Sequence, residues 1–214
     1  MSTFSTVRSA FLGLGAAACL ALSAPVFAQS LPVEGRDYIR LASPLIPADQ
    51  TQVEVVEFFS YGCIHCADFS PILKAWEAQH PNVRVRRVAV GGEMVHNNLA
   101  RLYYTLDALG ELKRLDSAVF KAIFEEKQRL FKVDAQAKWY ASKGGDAEKF
   151  TGVWNSFGVD SQLRRAEQLA ETWKIDATPT LVVGGQFVVQ GANFDDMLAN
   201  TDKLVAMLGK KPAK

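Results

Sequence analysis

Cysteine is scarce in this chain, three among 214 residues. The two that form a pair, Cys63 and Cys66, stand too close together to staple a fold, because the stabilisation from a bridge grows with the loop it closes. Histidine is equally sparse, with only His65, His80 and His96. A closed structural zinc site needs four ligands, and paired histidines usually stand three to five residues apart. His80 and His96 do not meet that spacing and His65 lies inside the cysteine pair, so no metal is expected. Acidic residues are absent before Glu34, and the apolar run Ala10–Ala24 is only about 15 residues long, against the roughly 20 that cross a bilayer. Nor is there a charge bias. With 24 basic and 23 acidic side chains, bulk charge cannot hold a nucleic acid or an anionic lipid surface.

The N-terminal stretch combines Arg8, that apolar run and Val26-Phe27-Ala28, whose small residues suit a signal peptidase. Residues 1–28 are therefore expected to be a removed leader, and the remaining chain to be exported. A lipid anchor on Cys19 is the alternative, but Ala16 stands where such a signal has leucine. Cleavage removes Cys19 and leaves Cys63 and Cys66 as the only thiols, in a compartment that permits disulfides. A pair that adds little stability there is a pair kept for reactivity.

The rest of the chain alternates between strand and helix patterns. Tyr38–Leu41 suits an edge strand, and Val53–Phe59 is a β-branched and aromatic strand. Ile64, Phe69, Ile72, Leu73 and Trp76 share a helical stripe, interrupted by Pro71. Val83–Val90 then reads as a strand parallel to the first, making a βαβ unit. No strand pattern occurs from His96 to Trp173. Helices are expected there with caps at Asp116 or Ser117, at Asp134, at Asp146 and at Asp160-Ser161. Phe157 joins Phe150, Val153 and Trp154 on an inward stripe. Thr180–Val183 and Gln186–Gln190, joined by Gly184-Gly185, form a hairpin, and Phe194–Leu208 a last helix. The reading is an α/β fold with an all-helical insertion. Its first part spans 29–95, the insertion 96–160 and its second part 161–214.

Chemistry concentrates at Cys63-Ile64-His65-Cys66, where the strand ending at Phe59 turns into a helix. A sulfur at the first helical turn faces unpaired N–H groups and the positive end of the macrodipole. Both favour thiolate, the form that exchanges disulfides. His65 adds a donor or cation beside it. Glu57, the only charged side chain between Val55 and Gly62, shares a strand face with Val53, Val55 and Phe59. Buried there it would hold its proton tightly unless paired, and could pass protons during exchange. Thr178-Pro179 marks the entry to the hairpin.

The segment Val56–Cys66 resembles the active-site region of the DsbA family, periplasmic thiol:disulfide oxidoreductases. The resemblance extends through the helical insertion to Thr178-Pro179. It implies a thioredoxin-like fold and a cis bond at Pro179. It makes Cys63 the attacked sulfur, Cys66 its buried partner, Glu57 the buried acid, and Thr178 and Pro179 the substrate-binding turn. No cofactor is implied beyond the Cys63–Cys66 disulfide. Two positions depart from the best-known members: Ile64 replaces a proline, and Thr178 replaces a valine common before the cis-proline. The implied activity is donation of disulfides to exported proteins with free cysteines, followed by reoxidation by a quinone-linked membrane partner of the DsbB kind. The residues before Gln52 are too few for the extra N-terminal dimerisation domain of dimeric isomerases, which weighs against that reading; a monomer is expected. A reductase, or a carrier of a soft metal on the cysteine pair, are the competing readings.

Overall fold

The computed structural model describes Met1 and residues 30–49, 51–92 and 94–209, without the side chains of 94–96. Apart from Met1, the expected leader lies outside the described residues, as do His96's side chain and the lysine-rich end. None of the described helices is long and apolar enough to cross a membrane.

Strand β2, Val53–Phe59, is the middle of the architecture. On one side it pairs in parallel with β3, Val83–Ala89, after the crossover helix α1, Ile64–Ala78. On the other it pairs antiparallel with β4, Thr180–Val183. β4 turns through Gly184 and Gly185, both at positive φ, into β5, Phe187–Val189. The edge strand β1, Tyr38–Arg40, closes the order β1-β5-β4-β2-β3. Every residue of β2 from Glu54 to Phe59 is buried, because helices cover both sheet faces. Val55 packs with Phe69, Leu73 and Trp76 of α1 and with Leu204 of α7, Phe194–Gly209. Val56 and Phe58 belong to the larger core shared with the helices that follow β3. Each such aliphatic or aromatic burial contributes roughly 1.5–3 kcal/mol.

Between β3 and β4 the described chain is helical: α2 Met94–Ala108, α3 Leu112–Phe124, α4 Val133–Ser142, α5 Ala147–Trp154 and α6 Phe157–Thr172. Asp146 caps α5 as expected, accepting from the N–H groups of Glu148 and Lys149 at 2.9 and 3.0 Å. Three other starts differ from the sequence reading. Helix α3 begins at Leu112, so Asp116 lies in its interior and is buried; its carboxylate is committed to distant cations rather than to its own backbone. Helix α4 starts at Val133, with Lys132 at the cap position and Asp134 in its first turn. Helix α6 starts earlier, because the Ser156 hydroxyl accepts from Val159 N–H. Asp160, freed from capping, pairs instead with Arg101 of α2. The same shift puts Phe157 at the first turn of α6, where it is 78% exposed rather than inward.

Candidate active site at the strand-to-helix turn

β2 ends at Phe59, and Ser60 to Gly62 turn the chain so that Cys63 becomes the N-cap of α1, with φ −97° and ψ 117°. The Cys63 N–H donates to the Ser60 carbonyl at 3.1 Å, which fixes the turn. The sulfur of Cys63 is half-buried and makes no capping bond to its own helix. Instead its thiol donates to the Thr178 carbonyl at 3.3 Å. The Thr178–Pro179 peptide bond is cis. Residues 115 apart in sequence thus meet at one groove of about 520 Å³, walled by Ser60, Gly62, Cys63, Ile175 and Thr178 among others.

The two sulfurs are chemically unequal. Cys66, one turn into α1, is fully buried. Burial pushes its thiol well above the ordinary cysteine range; the neighbouring Cys63 adds to this, while the Ser60 backbone and the Thr178 side chain act against it. His65, between them, is exposed in the first turn of α1. Both cysteines are free thiols in this structure.

Glu57 occupies a second, separate constellation. It is fully buried on the face expected for it, directly across the parallel register from Arg87. The Arg87 Nε donates to Glu57, and its Nη1 donates to both Asp116 oxygens at 2.8 and 2.9 Å. Lys74 of α1 and the Tyr61 hydroxyl complete Asp116, each at 2.8 Å. The guanidinium also lies over the Phe59 ring, 3.9 Å from its centroid. Burial raises the affinity of Glu57 for its proton, with Arg87 opposing. For Asp116 the balance reverses: burial opposes ionisation, but Arg87 and Lys74 outweigh it and hold the carboxyl below its usual range. One Glu57 oxygen and one Arg87 nitrogen remain buried without a partner among the described residues. No described hydrogen bond joins Glu57 to either cysteine; its electrostatic neighbours are Arg87, Asp116 and Lys74.

The structure therefore brings Cys63, Cys66 and Thr178-Pro179 together and sets Glu57 apart. Sequence reading missed Arg87, Asp116, Lys74 and Tyr61. Arg87 was visible only as one of three arginines in β3, and Asp116 passed for a cap. Among the described residues no three His, Cys, Asp or Glu side chains surround a common point fit for a metal. His80 is engaged with Trp76 and Asp202 beyond the far end of α1.

Comparison with known proteins agrees with this geometry. A family model for the DSBA-like thioredoxin domain matches residues 88–201, which include Thr178-Pro179. The thiol:disulfide interchange protein DsbA of Bordetella parapertussis is 37% identical over 206 residues, covering 94% of this chain and 98% of the relative. Among solved structures, the oxidoreductase DsbA from Xylella fastidiosa superimposes with a TM-score of 0.78 at 36% identity, covering 83% of this chain and 98% of that one. DsbA of Pseudomonas aeruginosa gives a TM-score of 0.75 at 31% identity, over 81% of this chain and 92% of that one. Likeness that runs through nearly the whole chain, in sequence and in backbone alike, settles the relationship: the chain belongs to the DsbA family of thiol:disulfide oxidoreductases, with its thioredoxin-like fold.

Proposed function

We propose that this protein donates disulfides to exported proteins in the periplasm through Cys63 and Cys66. In the oxidised form a substrate thiolate attacks Cys63, a substrate–Cys63 disulfide forms, and the Cys63–Cys66 bond breaks with its electron pair on Cys66. Cys66 takes up a proton, which its buried site favours strongly. A second substrate thiolate then attacks the substrate sulfur of the mixed disulfide and releases Cys63. The substrate leaves oxidised by two electrons and the enzyme dithiol carries them.

The burial of Cys66 decides between the two fates of the intermediate. Attack by Cys66 on Cys63 would return the substrate unoxidised, and only a thiolate attacks. Held as a thiol, Cys66 is a poor competitor, so the mixed disulfide persists until the substrate's second thiol arrives. Cys63, by contrast, is the half-buried sulfur at the start of α1, open to a substrate. The reduced enzyme keeps a proton on the buried Cys66 and leaves Cys63 in the groove, and this asymmetry is the proposed drive toward the reduced enzyme. The Thr178-Pro179 backbone lies where an extended substrate segment would pair edge to edge. Glu57, with its raised proton affinity, makes no described hydrogen bond to Cys66 and would exchange the Cys66 proton only through an intervening water. Reoxidation falls to a quinone-linked membrane oxidase of the DsbB kind, and the protein acts as a monomer with no cofactor beyond its own disulfide.

The observation that carries this reading is the contrast between the half-buried Cys63 and the fully buried Cys66 at one helix start. Equilibration with glutathione buffers tests it. The pair should be largely reduced at poises where a thioredoxin-like couple, about −270 mV, is still oxidised. Coincidence with that reducing couple would make the protein a reductase instead.

A further inference from the structure

The groove beside Cys63 carries a charge pattern of its own. The charged side chains lining it, among the described residues, are Glu167 of α6 and Asp176 of the segment between α6 and β4. Both are carboxylates, both are exposed, and neither forms an ion pair with any described residue. The remaining wall between them is apolar or small, with Val90, Ala170, Ile175 and Ala177. Because the whole chain is close to neutral, at formal charge +1, this negative character is local to the reactive sulfur.

Such a wall fits one class of side chain. Lysine and arginine lay an aliphatic stem along apolar surface while their charged end reaches a polar group. Ala170, Ile175 and Ala177 offer the surface, and Glu167 and Asp176 the anionic ends. A segment that brings its cysteine to Cys63 along this groove carries its flanking side chains toward these two carboxylates. We propose that Glu167 and Asp176 are specificity-determining residues, which select cysteine-containing segments carrying lysine or arginine beside the cysteine and disfavour those carrying acids. This rests on the disulfide-donor reading and names a substrate class within it.

The test uses single-cysteine peptides flanked on both sides by lysine, alanine or glutamate. Each is reacted with the oxidised protein, and rates are followed by acid quench and mass analysis. Each rate is divided by that peptide's rate with hydroxyethyl disulfide, which removes the effect of the flanks on the peptide's own thiol. At low ionic strength the lysine peptide should react about tenfold faster than the glutamate peptide, within the range of electrostatic steering. The ratio should collapse in 0.5 M salt, where the screening length is below about 5 Å. It should fall toward one in Glu167→Gln/Asp176→Asn and invert in Glu167→Lys/Asp176→Lys. A wild-type ratio of one at low salt, or a ratio that survives in both variants, overturns the assignment. If the wild type oxidises the alanine peptide but shows no ratio, only the charge selection fails. If no peptide opens the Cys63–Cys66 disulfide, donation itself fails.

Discussion

Replacing Arg87 with methionine removes the one cation shared by two buried carboxylates. The perturbation is well defined because Arg87 is itself only 13% exposed and joins Glu57 to Asp116. Asp116 keeps Lys74 and the Tyr61 hydroxyl. Glu57 keeps no hydrogen-bond partner among the described residues: it is fully buried and its second oxygen already lacks one. Stranding one member of a buried ion pair costs roughly 3–5 kcal/mol, far more than the net worth of the pair, because the survivor's desolvation is no longer offset. The methionine retains much of the contact with Phe59 and Phe120, so lost packing is a minor part. With a urea slope of about 2–3 kcal/mol per molar, the unfolding midpoint of the reduced protein should fall by about 1–2.5 M.

The pH dependence separates this mechanism from a simple packing defect. Glu57 holds its proton more tightly folded than unfolded, chiefly through burial, with Arg87 opposing. A raised carboxyl of this kind favours the folded state at low pH, and that advantage is lost as pH rises through the folded value. Without Arg87 only Lys74, a lesser influence on Glu57, opposes the burial, so Arg87→Met should be mild at pH 5 and severe at pH 8. Adding Glu57→Gln should restore most of the loss at pH 8. A loss below about 1 kcal/mol, an equal loss at both pH values, or no relief from Glu57→Gln would refute the electrostatic account.

Two further outcomes follow from single hydroxyl groups. Thr178→Val removes a hydroxyl that favours ionisation of Cys66 against the burial that opposes it; the reduced pair should lose that support and the glutathione equilibrium should move toward the disulfide, by at most about fivefold if about 1 kcal/mol is lost, and an unchanged equilibrium would deny Thr178 any part in the poise. Tyr61→Phe deletes the 2.8 Å bond to Asp116 and should cost about 1–3 kcal/mol near neutrality by urea unfolding. Asp116, held below the usual carboxylate range by Arg87 and Lys74 against the opposing effect of burial, adds stability above that range and loses it as pH falls, so the Tyr61→Phe penalty should shrink in acid.

What could be read from the sequence was what local chemistry decides. The alternation of Val53–Phe59, the stripe of α1 and the alternation of β3 made the parallel unit visible. Two glycines fixed the hairpin, because both adopt positive φ; a side chain on Gly185 would also strike the Leu45 carbonyl at 2.0 Å. The cap of α6 was placed one turn too late. Ser156, passed over in the sequence, captured the backbone, and Asp160 was drawn to Arg101 across 59 residues. At Asp116 the capping pattern misled entirely, since a carboxylate interior to a helix is tolerated once cations from elsewhere neutralise it. No spacing rule connects Asp116 with Lys74, 42 residues earlier, or with Arg87, 29 residues earlier. Those contacts exist only after α3 docks on the sheet.

That docking links the chemistry of the turn to the helices that follow β3. Lys74 belongs to the helix that begins at Cys63, Tyr61 to the turn before it, Arg87 and Glu57 to adjacent strands, and Asp116 to α3. One carboxylate therefore grips the cysteine-bearing helix, the turn and the sheet together. A cluster of apolar residues would hold these elements as tightly or more so, since buried ion pairs seldom exceed well-packed hydrophobic replacements in stability. What apolar residues could not do is keep two cations and two carboxylates balanced while leaving Glu57 with a raised affinity for its proton. The selection of a segment by its charge, in contrast, falls to Glu167 and Asp176, whose carboxylates are exposed in the groove and unpaired among the described residues. Charges committed to one another in the interior have no attraction left for a substrate, and only exposed, unpaired ones can choose it.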